Sequence, residues 1–306
     1  IIGDTFIGKT LQTLCIIAEI ANNPEFDDYL TIDDDIERGV GVDIKKMFGK
    51  KTANRILAPR YSSDDEPVNS DTIQDLRDNI YHFIENKKPF LYIVDTFDGL
   101  YSKEEQKLLK ENVAISEKIR EKENDEKGKK LEEKGSFAKE KNREFGSILR
   151  YAKGKLDDLK SSIVIVSQVR ENINASMFEP KLRRNGSKPL GHYSWHEIWL
   201  MKAGKIEKKD REIGSWVRAN ITKNRTTGKK RSVEFPVYQD LNGFIDNVQA
   251  CIEFLVNEGY CEKGKGGVIN CLGIEGKWPK DRDTESRQEL VKEIEEQGLE
   301  KQLYKE

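Results

Sequence analysis

Cysteine and histidine are both scarce. The 306 residues contain four cysteines, Cys15, Cys251, Cys261 and Cys271, and three histidines. No two cysteines form a Cys-x-x-Cys pair and the histidines lie far from them, which excludes the usual structural zinc centres and points to a reducing, cytoplasmic compartment. Long apolar runs are missing too: none approaches the ~20 residues that cross a bilayer as a helix. The chain has no excess of either charge, with 53 Lys and Arg against 55 Asp and Glu for a net charge of −2, so the whole is not a generic polyanion binder. Its charge comes in local blocks instead: 35% of residues are charged and the mean hydropathy is −0.74.

The most informative stretch stands first. Gly3-Asp4-Thr5-Phe6-Ile7-Gly8-Lys9-Thr10 matches G-x-x-x-x-G-K-[ST], the phosphate-cradling P-loop. Ile1 and Ile2 precede it as a short strand, and the apolar-periodic run Leu11–Ile20 follows as a helix. Glycines let the backbone curl so that successive N–H groups point at phosphate oxygens. The helix adds the positive end of its dipole. Lys9 is expected to reach the β- and γ-phosphates of ATP, and Thr10 to offer its hydroxyl to Mg²⁺. A chain that opens at Ile1, without Met and almost inside its first strand, reads as a fragment of a longer protein.

Apolar strands and amphipathic helices then alternate. Tyr29–Asp33 reads as a strand running into the acidic Asp33-Asp34-Asp35-Ile36-Glu37. Asp43–Phe48 reads as a short helix and Arg55–Leu57 as a short strand. Ser70 is a plausible N-cap for a helix over Asp71–Glu85. Phe90-Leu91-Tyr92-Ile93-Val94-Asp95 and Ile163-Val164-Ile165-Val166-Ser167 suit strands buried on both faces. The pattern predicts an α/β protein with a mostly parallel central sheet flanked by helices, a C-terminal β-hairpin extension and a small α-rich tail. The boundaries follow: a core over residues 1–245, carrying a charged insertion at 102–134, and an accessory domain over 246–306. Between Lys181 and Arg231 fifteen Lys and Arg face four Asp and Glu. Strand-like pieces at Glu197–Met201, Ser215–Thr222 and Ser232–Val237 lie in and just beyond that basic region, with a turn at Thr227-Gly228.

Ligands of open α/β sheets bind beyond the carboxyl ends of strands, and three polar groups fall there. Asp95 fits a carboxylate that holds Mg²⁺ through water. Asp35 or Glu37 suits orientation or deprotonation of an attacking water. Gln168 is suited to touch a γ-phosphate and report its loss to the segment behind it.

This set, in this order, resembles the RecA-like recombinases, especially those encoded by bacteriophages. The resemblance rests on Gly3–Thr10, Tyr29–Glu37, Tyr92–Leu100 (YIVDTFDGL), Ser136–Leu156, Ile163–Arg170 (IVIVSQVR), Lys188–Leu200 (KPLGHYSWHEIWL) and Ala219–Pro236 (ANITKNRTTGKKRSVEFP). It implies an ATP- and Mg²⁺-dependent, DNA-stimulated ATPase that forms a helical filament on single-stranded DNA and pairs it with homologous duplex, in the host cytoplasm if phage-encoded. Asp35 falls on the family's catalytic glutamate, with Glu37 in reserve, and Gln168 on its γ-phosphate sensor. Lys223 and Arg225 fall on basic residues that reach a neighbouring subunit's ATP. Residues 170–193 match a DNA-binding loop, with Arg170, Lys181, Arg183, Arg184 and Lys188 for phosphates and Met177 and Phe178 as wedges between bases. Two other readings share these motifs: a hexameric DNA helicase, and an accessory that binds or anneals single strands without turnover.

Overall fold

The computed structural model describes residues 1–39, 41–122, 138–172, 182–184, 188–238, 245–279, 285–299 and 302–303. Met177, Phe178, Lys181 and residues 123–134 of the charged insertion lie outside them. In chain order the elements are β1 (Ile2–Gly3), α1 (Lys9–Asn22), β2 (Leu30–Asp35), α2 (Ile44–Ala53), β3 (Ile56–Leu57), β4 (Arg60–Tyr61), β5 (Pro67–Val68), α3 (Ile73–Glu85) and β6 (Phe90–Asp95). Next come α4 (Lys103–Lys122), α5 (Ala138–Ala152), α6 (Lys155–Asp158), β7 (Ser162–Ile165), β8 (Ser167–Glu171), β9 (Leu182–Arg184) and α7 (Lys188–Tyr193). The last third holds β10 (His196–Lys208), β11 (Arg211–Asn224), β12 (Ser232–Tyr238), α8 (Asn247–Glu258), β13 (Glu262–Lys263), β14 (Val268–Cys271), β15 (Ile274–Lys277) and α9 (Glu285–Glu296). Two compact units result, Gln12–Ser194 and the pairing of Ile1–Leu11 with Trp195–Glu306. Among the described residues no helix is long and apolar enough to cross a membrane.

The Gln12–Ser194 unit contains a four-stranded parallel sheet in the order β3-β2-β6-β7. Side chains alternate across a strand, and β6 shows the consequence. Leu91 and Ile93 pack with Leu14 and Ile17 of α1. Phe90, Tyr92 and Val94 pack with Leu76, Ile80 and Phe83 of α3 and with Phe145 and Ile148 of α5. Every residue of β6 is buried, which is why the strand reads as an unbroken apolar run closed by Asp95. Truncating a fully buried ring such as Phe90 costs about 3–5 kcal/mol.

Helix α3 begins two residues later than its sequence suggests. Thr72, not Ser70, is the N-cap, in a reciprocal capping box with Asp75. Ser70 is taken by another partner: its N–H and hydroxyl donate to the buried Asp34 carboxylate at 2.8 and 2.6 Å.

The unit built from Ile1–Leu11 and Trp195–Glu306 corrects the expected fold class. Its strands run β12-β11-β10-β1. β1 is parallel to β10, β10 is antiparallel to β11, and β11 is antiparallel to β12. The main sheet is therefore mixed, and among the described residues the one all-parallel sheet has only four strands. The cause is a tight reversal at Lys209-Asp210, both at positive φ (51° and 61°), with Lys208 paired to Arg211. Two such residues between strands make a hairpin turn whose twist matches the sheet, so β10 and β11 become one long antiparallel ribbon rather than separate strands of a parallel array. The described tail is helix-rich as expected and also holds a small sheet: α8 and α9 pack through Ile252, Leu255, Leu290 and Ile294 with an antiparallel β13-β14-β15 sheet.

Candidate functional site

The glycine loop sits between β1 and α1 and is fixed from below. Ile7 is buried with Leu200, Val217, Ala219 and Phe235. Gly3 has no room for a side chain, since a Cβ there would lie 2.7 Å from Ile7 Cγ2. Phe6 and Gly8 adopt positive φ, 58° and 84°, curling the backbone between them. The left-handed conformation is unfavourable for a bulky residue, and the Phe6 side chain is fully exposed. Asp4 closes the turn by accepting the Thr5 N–H at 2.7 Å. Lys9, only 8% exposed, reaches back across the loop and donates its ammonium to the Asp4 carbonyl at 2.5 Å. Curled backbone, the positive end of α1 and a sheltered ammonium together suit a polyphosphate. Thr10 follows on the first turn of α1, half-buried.

The acidic residues of the Gln12–Ser194 unit separate by strand alternation. β2 and β6 are in register, with Asp33 beside Ile93, Asp34 beside Val94 and Asp35 beside Asp95. Asp34 is fully buried and accepts from the Ser70 N–H, the Ser70 hydroxyl and, at 2.7 Å, the Tyr92 hydroxyl. Asn79 donates to the Ser70 hydroxyl in turn. Burial raises the Asp34 pKa against the pull of those donors. Asp33 is pushed up to about 7, by burial first and then by Asp95, Asp35 and Asp34. Carboxylates that hold one another's protons in this way are the environment a cation relieves. Among the described residues no three His, Cys, Asp or Glu side chains converge to hold a metal alone. The donors fit Mg²⁺ nonetheless, because this ion takes one or two carboxylates and completes its shell with phosphate and water.

Glu37 and Gln168 come together where β2, β6 and β8 end or begin. Glu37 Oε1 accepts the Thr96 hydroxyl at 2.6 Å and the Gln168 Nε2 at 3.2 Å. The Gln168 N–H donates to Asp98 Oδ2 at 2.6 Å. Burial raises the Asp98 pKa, while the Gln168 N–H and the Lys141 ammonium oppose the rise. Asp35 is engaged in shaping the turn after β2: its Oδ1 accepts the Gly39 N–H at 3.2 Å.

Immediately beyond Gln168, β8 pairs with β9 as an antiparallel ribbon that sets Arg170 opposite Arg183. Both are exposed. Like charges directly across a strand pair are unfavourable unless an anion lies between or over them. Arg184 is turned elsewhere, its guanidinium filling the space a Cβ on Gly191 would need. Lys188 opens α7. In the other unit, Lys223 pairs across the ribbon with Glu197, and the Arg225 guanidinium lies 5.8 Å from the Trp195 ring centroid.

Thr96 and Asp98, which tie Glu37 and Gln168 into one junction, were legible only as part of the YIVDTFDGL stretch. Nothing in the sequence marked them as partners. The split of Asp33-Asp34-Asp35 between two faces follows from the two-residue period of a strand. No protein-family model matches the chain.

Proposed function

We propose that this chain is an ATP-driven recombinase that binds single-stranded DNA and pairs it with homologous duplex, acting as an oligomer. The observation that carries the reading is the Glu37–Gln168 hydrogen bond at the base of the ribbon bearing Arg170 and Arg183. It joins a group suited to direct water to a segment suited to grip phosphates. In this reading the Gly3–Thr10 loop, with Lys9, holds the triphosphate of ATP, and Thr10 offers its hydroxyl to Mg²⁺. The ion would supply charge neutralisation at the γ-phosphate. Glu37 orients the attacking water, with Asp35 completing the turn beside it. Loss of the γ-phosphate frees Gln168 to change partners, and the ribbon's order changes with it. Lys223 and Arg225 act on the nucleotide of a second copy, as cations supplied in trans do in related chemistry.

The test is the anisotropy of a labelled oligothymidine titrated with the full chain, with and without a non-hydrolysable ATP analogue and Mg²⁺. The analogue is expected to tighten binding by about 5- to 150-fold, the usual range of coupling between two sites. Lys9→Ala is expected to abolish that gain while leaving nucleotide-free binding intact. Equal affinity with and without the analogue in the unmodified chain would refute the proposal.

A further inference from the structure

The loop joining β11 to β12 concentrates positive charge beside an exposed indole. Residues 223–231, Lys-Asn-Arg-Thr-Thr-Gly-Lys-Lys-Arg, hold five cations and no acid. Lys223 faces Glu197 in the ribbon and Arg231 reaches Glu258 at 4.0 Å. Arg225, Lys229 and Lys230 are all exposed. Trp195 is 58% exposed, whereas Trp216 and Trp278 are 3% and 7% exposed and Trp199 is half-buried. An indole left in water forgoes the burial that normally makes tryptophan worthwhile.

This indole is also held in place. Its Nε1 donates to the Thr226 hydroxyl at 3.2 Å, and the Arg225 N–H donates to the Trp195 carbonyl at 3.1 Å. The loop beneath is stitched by Asn224. Asn224 Oδ1 accepts the N–H groups of Thr226 and Thr227, and its Nδ2 donates to the Thr227 hydroxyl and the Lys229 carbonyl. The Thr226 hydroxyl lies 3.1 Å from His196 Nε2 as well. A surface loop fixed by this many bonds presents its aromatic face and its cations without a further ordering cost on binding.

We propose that Trp195 is a stacking platform for a base of single-stranded nucleic acid, with Lys229 and Lys230 contacting the phosphates beside it. Three features favour this occupant. Aromatic faces flanked by cations are how single strands are held without regard to sequence. Duplex bases are already stacked and offer no free face to an indole. A mononucleotide requires a concave site, whereas residues 225–231 are exposed throughout. The contact uses different residues from the β8–β9 ribbon and does not depend on ATP turnover, so it stands or falls separately from the function proposed above.

The experiment is intrinsic tryptophan fluorescence of the full chain titrated with oligothymidine in the absence of nucleotide, alongside anisotropy of a labelled oligothymidine. The expected result is quenching in the unmodified chain that disappears in Trp195→Phe. Trp195→Phe should retain most of the affinity because phenylalanine also stacks, whereas Trp195→Ala should weaken binding about tenfold, within the range for one stacked base. Replacing Lys229 and Lys230 by alanine should lower the slope of log affinity against log salt by about 0.7 for each phosphate no longer neutralised. Arg170→Ala and Arg183→Ala should weaken oligothymidine binding but keep the amplitude of Trp195 quenching at saturation, which separates this site from the ribbon. The inference is overturned if Trp195→Ala binds oligothymidine as tightly as the unmodified chain, or if ATP with Mg²⁺ quenches Trp195 and oligothymidine does not.

Discussion

The Glu37 carboxylate and the Gln168 side-chain amide meet at 3.2 Å, although 131 residues separate them in the chain. Glu37 follows the end of β2 and Gln168 lies at the start of β8. Between them stands the end of β6, followed by Thr96, whose hydroxyl donates to the same Glu37 oxygen, and Asp98, which receives the Gln168 N–H. Gln168 is thus held at both ends, by its backbone and by its amide. Any event that draws its side chain away from Glu37 acts on the first residues of the ribbon that carries Arg170.

The first prediction concerns that junction. Gln168→Ala removes the amide and keeps the N–H bond to Asp98, so nucleotide-free affinity for oligothymidine is expected to stay near that of the unmodified chain. The gain conferred by the ATP analogue, about 5- to 150-fold if typical of coupled sites, is expected to vanish. Gln168→Glu would place a second carboxylate against Glu37 and is expected to disturb the ribbon even without nucleotide. A variant Gln168→Ala that responds fully to the analogue would remove Gln168 from the coupling.

A second prediction concerns the tail. Arg287 and Glu253 are a buried pair at 2.8 Å, with side chains 4% and 9% exposed. Glu253 Oε2 also accepts the Trp278 indole N–H at 2.9 Å. The Arg287 guanidinium donates to the Pro279 carbonyl and stacks 4.4 Å from the Trp278 ring. Removing one member of a buried pair strands the other charge and costs about 3–5 kcal/mol. Arg287→Met is therefore expected to accelerate amide hydrogen exchange throughout α8 and α9. The double variant Arg287→Met, Glu253→Gln is expected to recover much of the loss, because no buried charge is then left alone. Unchanged exchange in the single variant would show that the pair contributes nothing.

Much of the local structure was legible because the pattern and its physical cause coincide. The unbroken apolar run Phe90–Val94 is a strand buried on both faces, and the Asp that closes it marks the strand's end. Gly259 has φ 85° at the C-cap of α8, the left-handed position at which a glycine marks a helix end. The larger architecture was hidden by two features. Lys209-Asp210 forms a hairpin turn without the glycine or asparagine that usually advertises one, so the sequence shows only the separate pieces Glu197–Met201 and Ser215–Thr222 where the structure has one long ribbon of β10 and β11. Ser70 and Thr72 are equally good caps by composition, and only the buried Asp34 decides between them by claiming Ser70. At the candidate site, Asp33, Asp34 and Asp35 read as one acidic cluster. Tertiary burial gives Asp34 a structural hydrogen-bond network of its own.

The last prediction is a pH dependence. Lys141 lies under the Glu37–Gln168 junction, its ammonium 4.5 Å from the Phe97 ring centroid and 3.3 Å from the Asp98 carbonyl. The ring and the neighbouring carboxylates of Asp98 and Glu105 favour the charged form, but burial outweighs them and pushes the pKa down to about 8. In the unfolded chain a lysine titrates near ~10.4. Below about pH 8 both states are protonated, and the cost of burying the charge is present in full. Between about 8 and 10.4 the unfolded state binds more protons than the folded one, so stability attributable to this group rises with pH across that window. Lys141→Met keeps the aliphatic stem and removes the charge. Its melting temperature is expected to exceed that of the unmodified chain at pH 7, with the advantage shrinking as pH approaches 10. Thermal melts of both proteins at half-unit steps of pH isolate the effect, since every other titrating group is common to the two. A difference that stays constant with pH would mean that packing against Phe97, and not the buried ammonium, sets the stability at this position.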